Sequence, residues 1–304
     1  METIERDYSS RGGKFFYIYK ALAHPENSGY IQPFTLDERL MHVKEADRTL
    51  GSRIPWICDS MQNEIKHALG DAPNSEFVLD PEGRVVRKRG WSNPGQLRKD
   101  LEELIGPVDN PTRVADLDLK MQPPPKVAAR GVVERIERPQ NLQAIWVEPE
   151  VKEKGKPFYA KLRAEAEPNL IRSGSGKLYL GFHLDPLYHV HWNNLTKPIK
   201  VRLTAPDGTE LSSTTLDGPK VDTPADIDPR EFLIDVTTWP VDTPIKVTVD
   251  YFACNDEQGW CLAIQQKYEL IRIKDPDAGW IQRNAGRGQG RSSQPSDPQR
   301  RPMD

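Results

Sequence analysis

The chain predicts a two-domain α+β protein, an α/β module of alternating strands and helices followed by an antiparallel β-sandwich. Its 304 residues are enough for two separate cores. The first third alternates short apolar strands with capped helices. From about residue 158 the pattern changes to alternating apolar strands separated by Pro, Gly and Asp turns. This division places a first domain at 1–107, a Pro-rich linker at 108–157, the β-sandwich at 158–273 and a disordered tail at 284–304.

In the first domain, Lys14 to Leu22 reads as a strand through Phe15, Phe16, Tyr17, Ile18 and Tyr19. Thr35 is the N-cap of a helix that runs to about Leu50, with Glu38 completing a capping box. Ile54 to Cys58 is a short apolar strand, and Met61 to Leu69 a helix stopped by Gly70. Glu76 to Asp80 and Arg84 to Lys88 form a hairpin around Pro81-Glu82-Gly83. Pro94 to Ile105 is a closing helix with Leu97, Leu101 and Leu104 on one face.

The linker is stiffened by Pro123-Pro124-Pro125, and within it Val127 to Ile136 and Gln143 to Val147 suggest a small hairpin. Six strands are expected in the second domain: Lys177 to Leu184, Tyr188 to Trp192, Ile199 to Leu203, Glu231 to Val236, Ile245 to Tyr251 and Gln265 to Ile273. The tail is rich in Gly, Arg, Ser, Pro and Gln.

Composition excludes some functions. A charged fraction of 29% and no apolar run near ~20 residues argue against a membrane span. A net charge of −3 is too balanced for a nucleic-acid partner. Chemistry concentrates in the run Tyr251-Phe252-Ala253-Cys254-Asn255-Asp256-Glu257-Gln258-Gly259-Trp260-Cys261, just past an alternating strand. Cys254 and Cys261 are spaced to close a small loop at a strand end, as a redox couple or as a fixed staple. Asp256 and Glu257 between them are expected to raise the thiol pKa. His183, His189 and His191 leave a second possibility open, a copper or zinc site, with His189 and His191 on one face of a strand. No cofactor is expected.

Two resemblances sharpen this reading. Phe15-Phe16-Tyr17-Ile18-Tyr19-Lys20-Ala21-Leu22-Ala23-His24 and Ile54-Pro55-Trp56-Ile57-Cys58-Asp59-Ser60-Met61-Gln62-Asn63, with Pro73 before Phe77-Val78-Leu79-Asp80, resemble the iodothyronine deiodinase branch of the thioredoxin-like redoxins over residues 14–105. The family's nucleophile-bearing strand has no counterpart, so the resemblance implies an incomplete thioredoxin-like domain. In that fold the missing strand is central, and its two neighbours would be left ~4.8 Å-spaced edges without a partner. The expectation is therefore a natural start upstream of Met1, with an export signal and a cell-envelope location. The chain as it stands, with no apolar core in Met1-Glu2-Thr3-Ile4-Glu5-Arg6-Asp7, reads as cytoplasmic. Cys58, ending a buried strand, reads as an inert core thiol.

The segment Gly181-Phe182-His183-Leu184-Asp185-Pro186-Leu187-Tyr188-His189-Val190-His191-Trp192-Asn193-Asn194, together with the Tyr251 to Cys261 run, is similar to the amino-terminal domain of the disulfide reductase DsbD over residues 158–273. That resemblance implies an immunoglobulin-like fold and thiol–disulfide exchange through Cys254 and Cys261 with a partner protein. Which sulfur attacks is left open. A non-catalytic interaction or scaffold protein with a structural disulfide is the other reading.

Overall fold

A computed structural model describes residues 1–279 apart from 27, 28, 71, 124, 125, 153 and 154. The expected tail, and two of the three consecutive prolines, lie outside the described residues.

The first module runs α1 (Glu2–Tyr8), β1 (Tyr17–Tyr19), α2 (Leu36–Leu50), β2 (Trp56–Cys58), α3 (Glu64–Leu69), β3 (Glu76–Leu79), β4 (Val85–Arg89) and α4 (Pro94–Leu104). β1 and β2 pair in parallel across α2, with Ile18 opposite Ile57. β3 and β4 form a separate antiparallel hairpin, and among the described residues no strand joins the two small sheets. Ile4 and Tyr8 of α1 pack on Leu97 and Leu101 of α4, with Phe15 and Val78 at the margin. The third residue of the expected α4 face, Leu104, is exposed.

Local chemistry explains the boundaries. Thr35 Oγ1 accepts the Glu38 N–H and caps α2. The Glu38 carboxylate reaches back to the Phe34 N–H at 2.7 Å, one residue before the cap, instead of closing the box on Thr35. α3 starts at Glu64, not Met61, because Asn63 is left-handed at φ 57°. The buried Asp59 carboxylate then accepts the Ile65 and Lys66 N–H groups, which have no partner inside the helix.

The second half contains β5 (Gln143–Pro149), β6 (Ala160–Ala166), α5 (Pro168–Ser173), β7 (Gly176–Leu184), β8 (His191–Asn193), β9 (Lys200–Thr204), β10 (Glu210–Leu211), β11 (Thr215–Asp217), β12 (Ala225–Asp226), β13 (Arg230–Thr238), β14 (Ile245–Asn255) and β15 (Trp260–Lys274). These eleven strands form one antiparallel sheet in the order β10-β13-β7-β6-β5-β15-β14-β8-β12, with β9 and β11 extending from β14. β5 turns the corner. Gln143 and Ala144 pair with β6, and the rest of the strand pairs with β15. The sheet therefore curls on itself. Leu162, Leu178 and Leu180 from one half meet Val247, Val249 and Tyr268 from the other in a single core.

Two expectations are corrected here. The segment 127–136 does not form a hairpin with β5. The Asp228 carboxylate instead accepts the Gly131, Val132 and Val133 N–H groups and holds that segment against the sheet. β6 was not expected at all. Ala160, Leu162, Ala164 and Ala166 alternate into the core, so Lys161, Arg163 and Glu165 point to the other face. That face is buried too, because the first module and the segment after β15 cover it.

The Lys161 ammonium, fully buried, bonds the Asp185 carboxylate and lies 3.0 Å from Glu38 of α2. Tyr188 Oη donates to Glu38 at 2.9 Å. Arg163 donates to the Ala278 carbonyl at 2.7 Å, and Asp277 accepts from Asn63, Lys66 and His67. Gly279 closes this strap at φ 72°, where a Cβ would come within 2.3 Å of the Leu22 carbonyl oxygen. Among the described residues no helix is long and apolar enough to cross a membrane.

Truncating one member of a buried ion cluster strands the others. Lys161→Met is therefore expected to lower the unfolding free energy by about 3–5 kcal/mol in urea titration; a loss under ~1 kcal/mol would contradict the role given to Lys161. Burial alone would raise the Asp185 carboxyl, but the Lys161 ammonium, with His42 behind it, outweighs that and holds it at about 2 against an ordinary 3.8. The folded value is the lower one. Its stabilisation is thus complete above about pH 4 and is lost as pH falls through 2, worth on the order of 2 kcal/mol. Asp185→Asn should be less stable at neutral pH yet show a shallower loss between about pH 4 and 2 in acid unfolding followed by circular dichroism.

Candidate functional site

β14 and β15 form a long hairpin whose register runs from Ile245 opposite Leu270 to Asn255 opposite Trp260. Alternation along β14 sends Val247, Val249, Tyr251 and Ala253 into the core, which leaves Cys254 on the outer face. The tip is the turn Asp256-Glu257-Gln258-Gly259, where Asn255 Oδ1 accepts the Gln258 N–H at 2.8 Å and Gly259 takes φ 67°. Cys254 and Cys261 stand directly opposite each other and form a disulfide, with Cα atoms 4.0 Å apart.

On its other side Cys254 is the register partner of His191 in β8. Directly paired residues in an antiparallel ladder project to the same face. His191, Cys254 and Cys261 therefore form a row across three strands, while the intervening Trp192 and Ala253 enter the core. The row lines an open cleft of about 500 Å³ together with Asn193, Leu195 and Trp260. Cys254 is only 7% exposed, whereas Cys261 is exposed.

Sequence reasoning gave Asn193 no role. Its Oδ1 accepts the Leu195 N–H at 3.1 Å, which leaves the amide nitrogen to donate to Cys261 Sγ at 3.1 Å. An Asn two residues after the paired His was a signal of a kind, because i and i+2 share a strand face. Each carboxylate between the cysteines lies against a histidine. Asp256 Oδ1 lies 3.0 Å from His191 Nε2, and Glu257 lies 3.3 Å from His189 Nδ1.

The three histidines do not converge. His189 is not on the β8 face. It is left-handed at φ 52°, at the end of a 3₁₀ turn over Pro186–Tyr188. His183, buried in β7, has Nε2 3.1 Å from Glu26, and burial pushes it below its ordinary value against the pull of that carboxylate. Among the described residues no three His, Cys, Asp or Glu side chains are placed to hold a metal ion.

In the first module, Cys58 is half-buried at the end of β2, where burial pushes its thiol up. His24 is exposed in the loop after β1. Neither lines the cleft.

The hairpin tip is tied to the buried ion cluster by rings. Trp260 lies 5.3 Å from Tyr159, and Tyr159 lies 5.2 Å edge-on to Tyr188, the residue whose hydroxyl bonds Glu38. Asn255 also donates to the Tyr188 carbonyl at 3.0 Å. The cleft is thus built on the same contacts that join the two modules. No protein-family model, no curated protein and no solved structure matches this chain.

Proposed function

We propose that this chain is a thiol–disulfide exchange protein that passes two electrons to or from a dithiol/disulfide partner protein through Cys254 and Cys261. One observation carries the reading: the disulfide joins a buried cysteine to an accessible one on an open cleft. A purely structural crosslink has no need of an approachable sulfur. An exchanging one requires it, because the incoming thiolate must reach a sulfur in line with the bond it breaks.

Accessibility also assigns the order of events. A partner thiolate attacks Cys261 Sγ and forms a mixed disulfide. The Cys254–Cys261 bond breaks, and its electron pair leaves on Cys254 Sγ as a thiolate. The partner's second thiolate then attacks its own sulfur in the mixed disulfide and releases Cys261 as the second thiolate. The partner leaves oxidised and this protein reduced. In reverse, Cys261 is the attacking thiolate and Cys254 resolves.

Within this reading the β-rich half is an immunoglobulin-like module akin to the DsbD amino-terminal domain, a view supported by its antiparallel strands and its terminal cysteine hairpin. The first half is a thioredoxin-like scaffold without its nucleophile. The parallel β1-α2-β2 unit, followed by the β3–β4 hairpin and α4, supports that order of elements. Its role is then to brace the β-sheet, and Cys58 takes no part.

Thiol titration under native conditions tests the proposal. Treatment with millimolar glutathione is expected to raise the count of reactive thiols by two over the untreated protein, and Cys261→Ser to abolish the rise. An unchanged count would leave a structural staple in an interaction protein.

A further inference from the structure

We infer that His191 stabilises Cys254 as the leaving thiolate, the sulfur that takes the electron pair of the opening disulfide. The inference rests on the exchange reading and adds a residue to it.

The argument begins with hydrogen-bond chemistry. His191 Nδ1 lies 2.9 Å from the Trp192 carbonyl oxygen, and Nε2 lies 3.0 Å from Asp256 Oδ1. A carbonyl and a carboxylate only accept, so both contacts are hydrogen bonds only when both ring nitrogens carry a proton. The geometry therefore suits the imidazolium, a cation, and not either neutral tautomer. This ring is the register neighbour of Cys254, roughly 4.5–5.5 Å away between Cβ atoms for directly paired strand residues. Cys261 is one strand farther off and receives the neutral Asn193 amide.

The two sulfurs are thus unequal. When the bond opens, negative charge on Cys254 develops beside a cation in a nearly buried position, where Coulomb attraction is stronger than in water. Charge on Cys261 would develop at an exposed position against a neutral donor. A better leaving thiolate departs faster, so His191 directs the incoming nucleophile to Cys261. Of the neighbouring acidic groups, Glu257 at the hairpin tip pairs with His189, and Asp226 of β12 pairs with Arg230 of β13. Among the described residues Asp256 is the one carboxylate bonded to the ring, and its side chain is 80% exposed.

Reduction of the full chain by dithiothreitol, followed by stopped flow from pH 5 to 9 and corrected for reagent thiolate, reads the effect. His191→Gln is expected to slow reduction about tenfold at pH 6 and less at pH 9, since an imidazole ring carries charge only when both nitrogens are protonated. Asp256→Asn, at an exposed position that puts folding at little risk, should give a smaller loss. Equal slowing at every pH would mark a merely structural effect and overturn the inference, as would a His191→Gln profile superimposable on the native one. Glutathione adducts trapped by acid quench should lie on Cys261 in the native protein; adducts mainly on Cys254 would also overturn it. A native disulfide that neither thiol opens would instead overturn the exchange reading on which the inference rests.

Discussion

The contact on which the rest of the structure depends is the buried Lys161 ammonium between Glu38 and Asp185. It joins three separated pieces of chain: the first turn of α2, the start of β6 and the end of β7. Two carboxylates and one ammonium out of water are expensive, and only close, complete pairing offsets that cost. The cluster therefore tolerates little displacement. Asp185 sits where β7 ends, and from it hang Tyr188, His189 and His191 in order. Fixing Asp185 fixes where β8 begins, and β8 places His191 against Cys254.

The same cluster explains what the first module does in this architecture. β6 carries Lys161, Arg163 and Glu165 on the face turned away from the core. Left in solvent, that face would be an ordinary charged sheet surface. Covered by α2 and the Asp277 strap, it becomes a polar interface whose groups each need a named partner. The rings of Tyr188, Tyr159 and Trp260 carry the connection on to the cysteine hairpin. An interface of charges specifies one docking geometry more strictly than an apolar one, since a small shift leaves charges unpaired.

Much of this was legible from sequence. The Thr35 cap, the Pro94 helix start, the hairpin around Gly83 and the alternating strand into Cys254 are local signals, and the fold keeps them. What was missed depended on distant partners. Ala160 to Ala166 alternates small apolar and charged residues, but alanines with Lys, Arg and Glu are helix formers, and nothing local reveals that the charged face will be buried. The 127–136 segment failed as a strand because the Asp228 carboxylate, about a hundred residues away, takes its N–H groups. His189 and His191 are two apart in sequence, yet a left-handed residue after a 3₁₀ turn breaks the strand period between them. The cysteine pairing was readable from spacing. The inequality of the two sulfurs was not, because it comes from β8 and from which cysteine the cleft exposes.

The central claim is that the Cys254–Cys261 bond is a working redox couple, and its equilibrium potential tests this most directly. Equilibration of the folded chain in glutathione buffers, with acid trapping and mass measurement, is expected to show oxidised and reduced forms together between about −180 and −270 mV, the range of exchanging dithiols. A bond still fully oxidised at about −300 mV would contradict the account and leave the cysteines as a crosslink at the end of a hairpin.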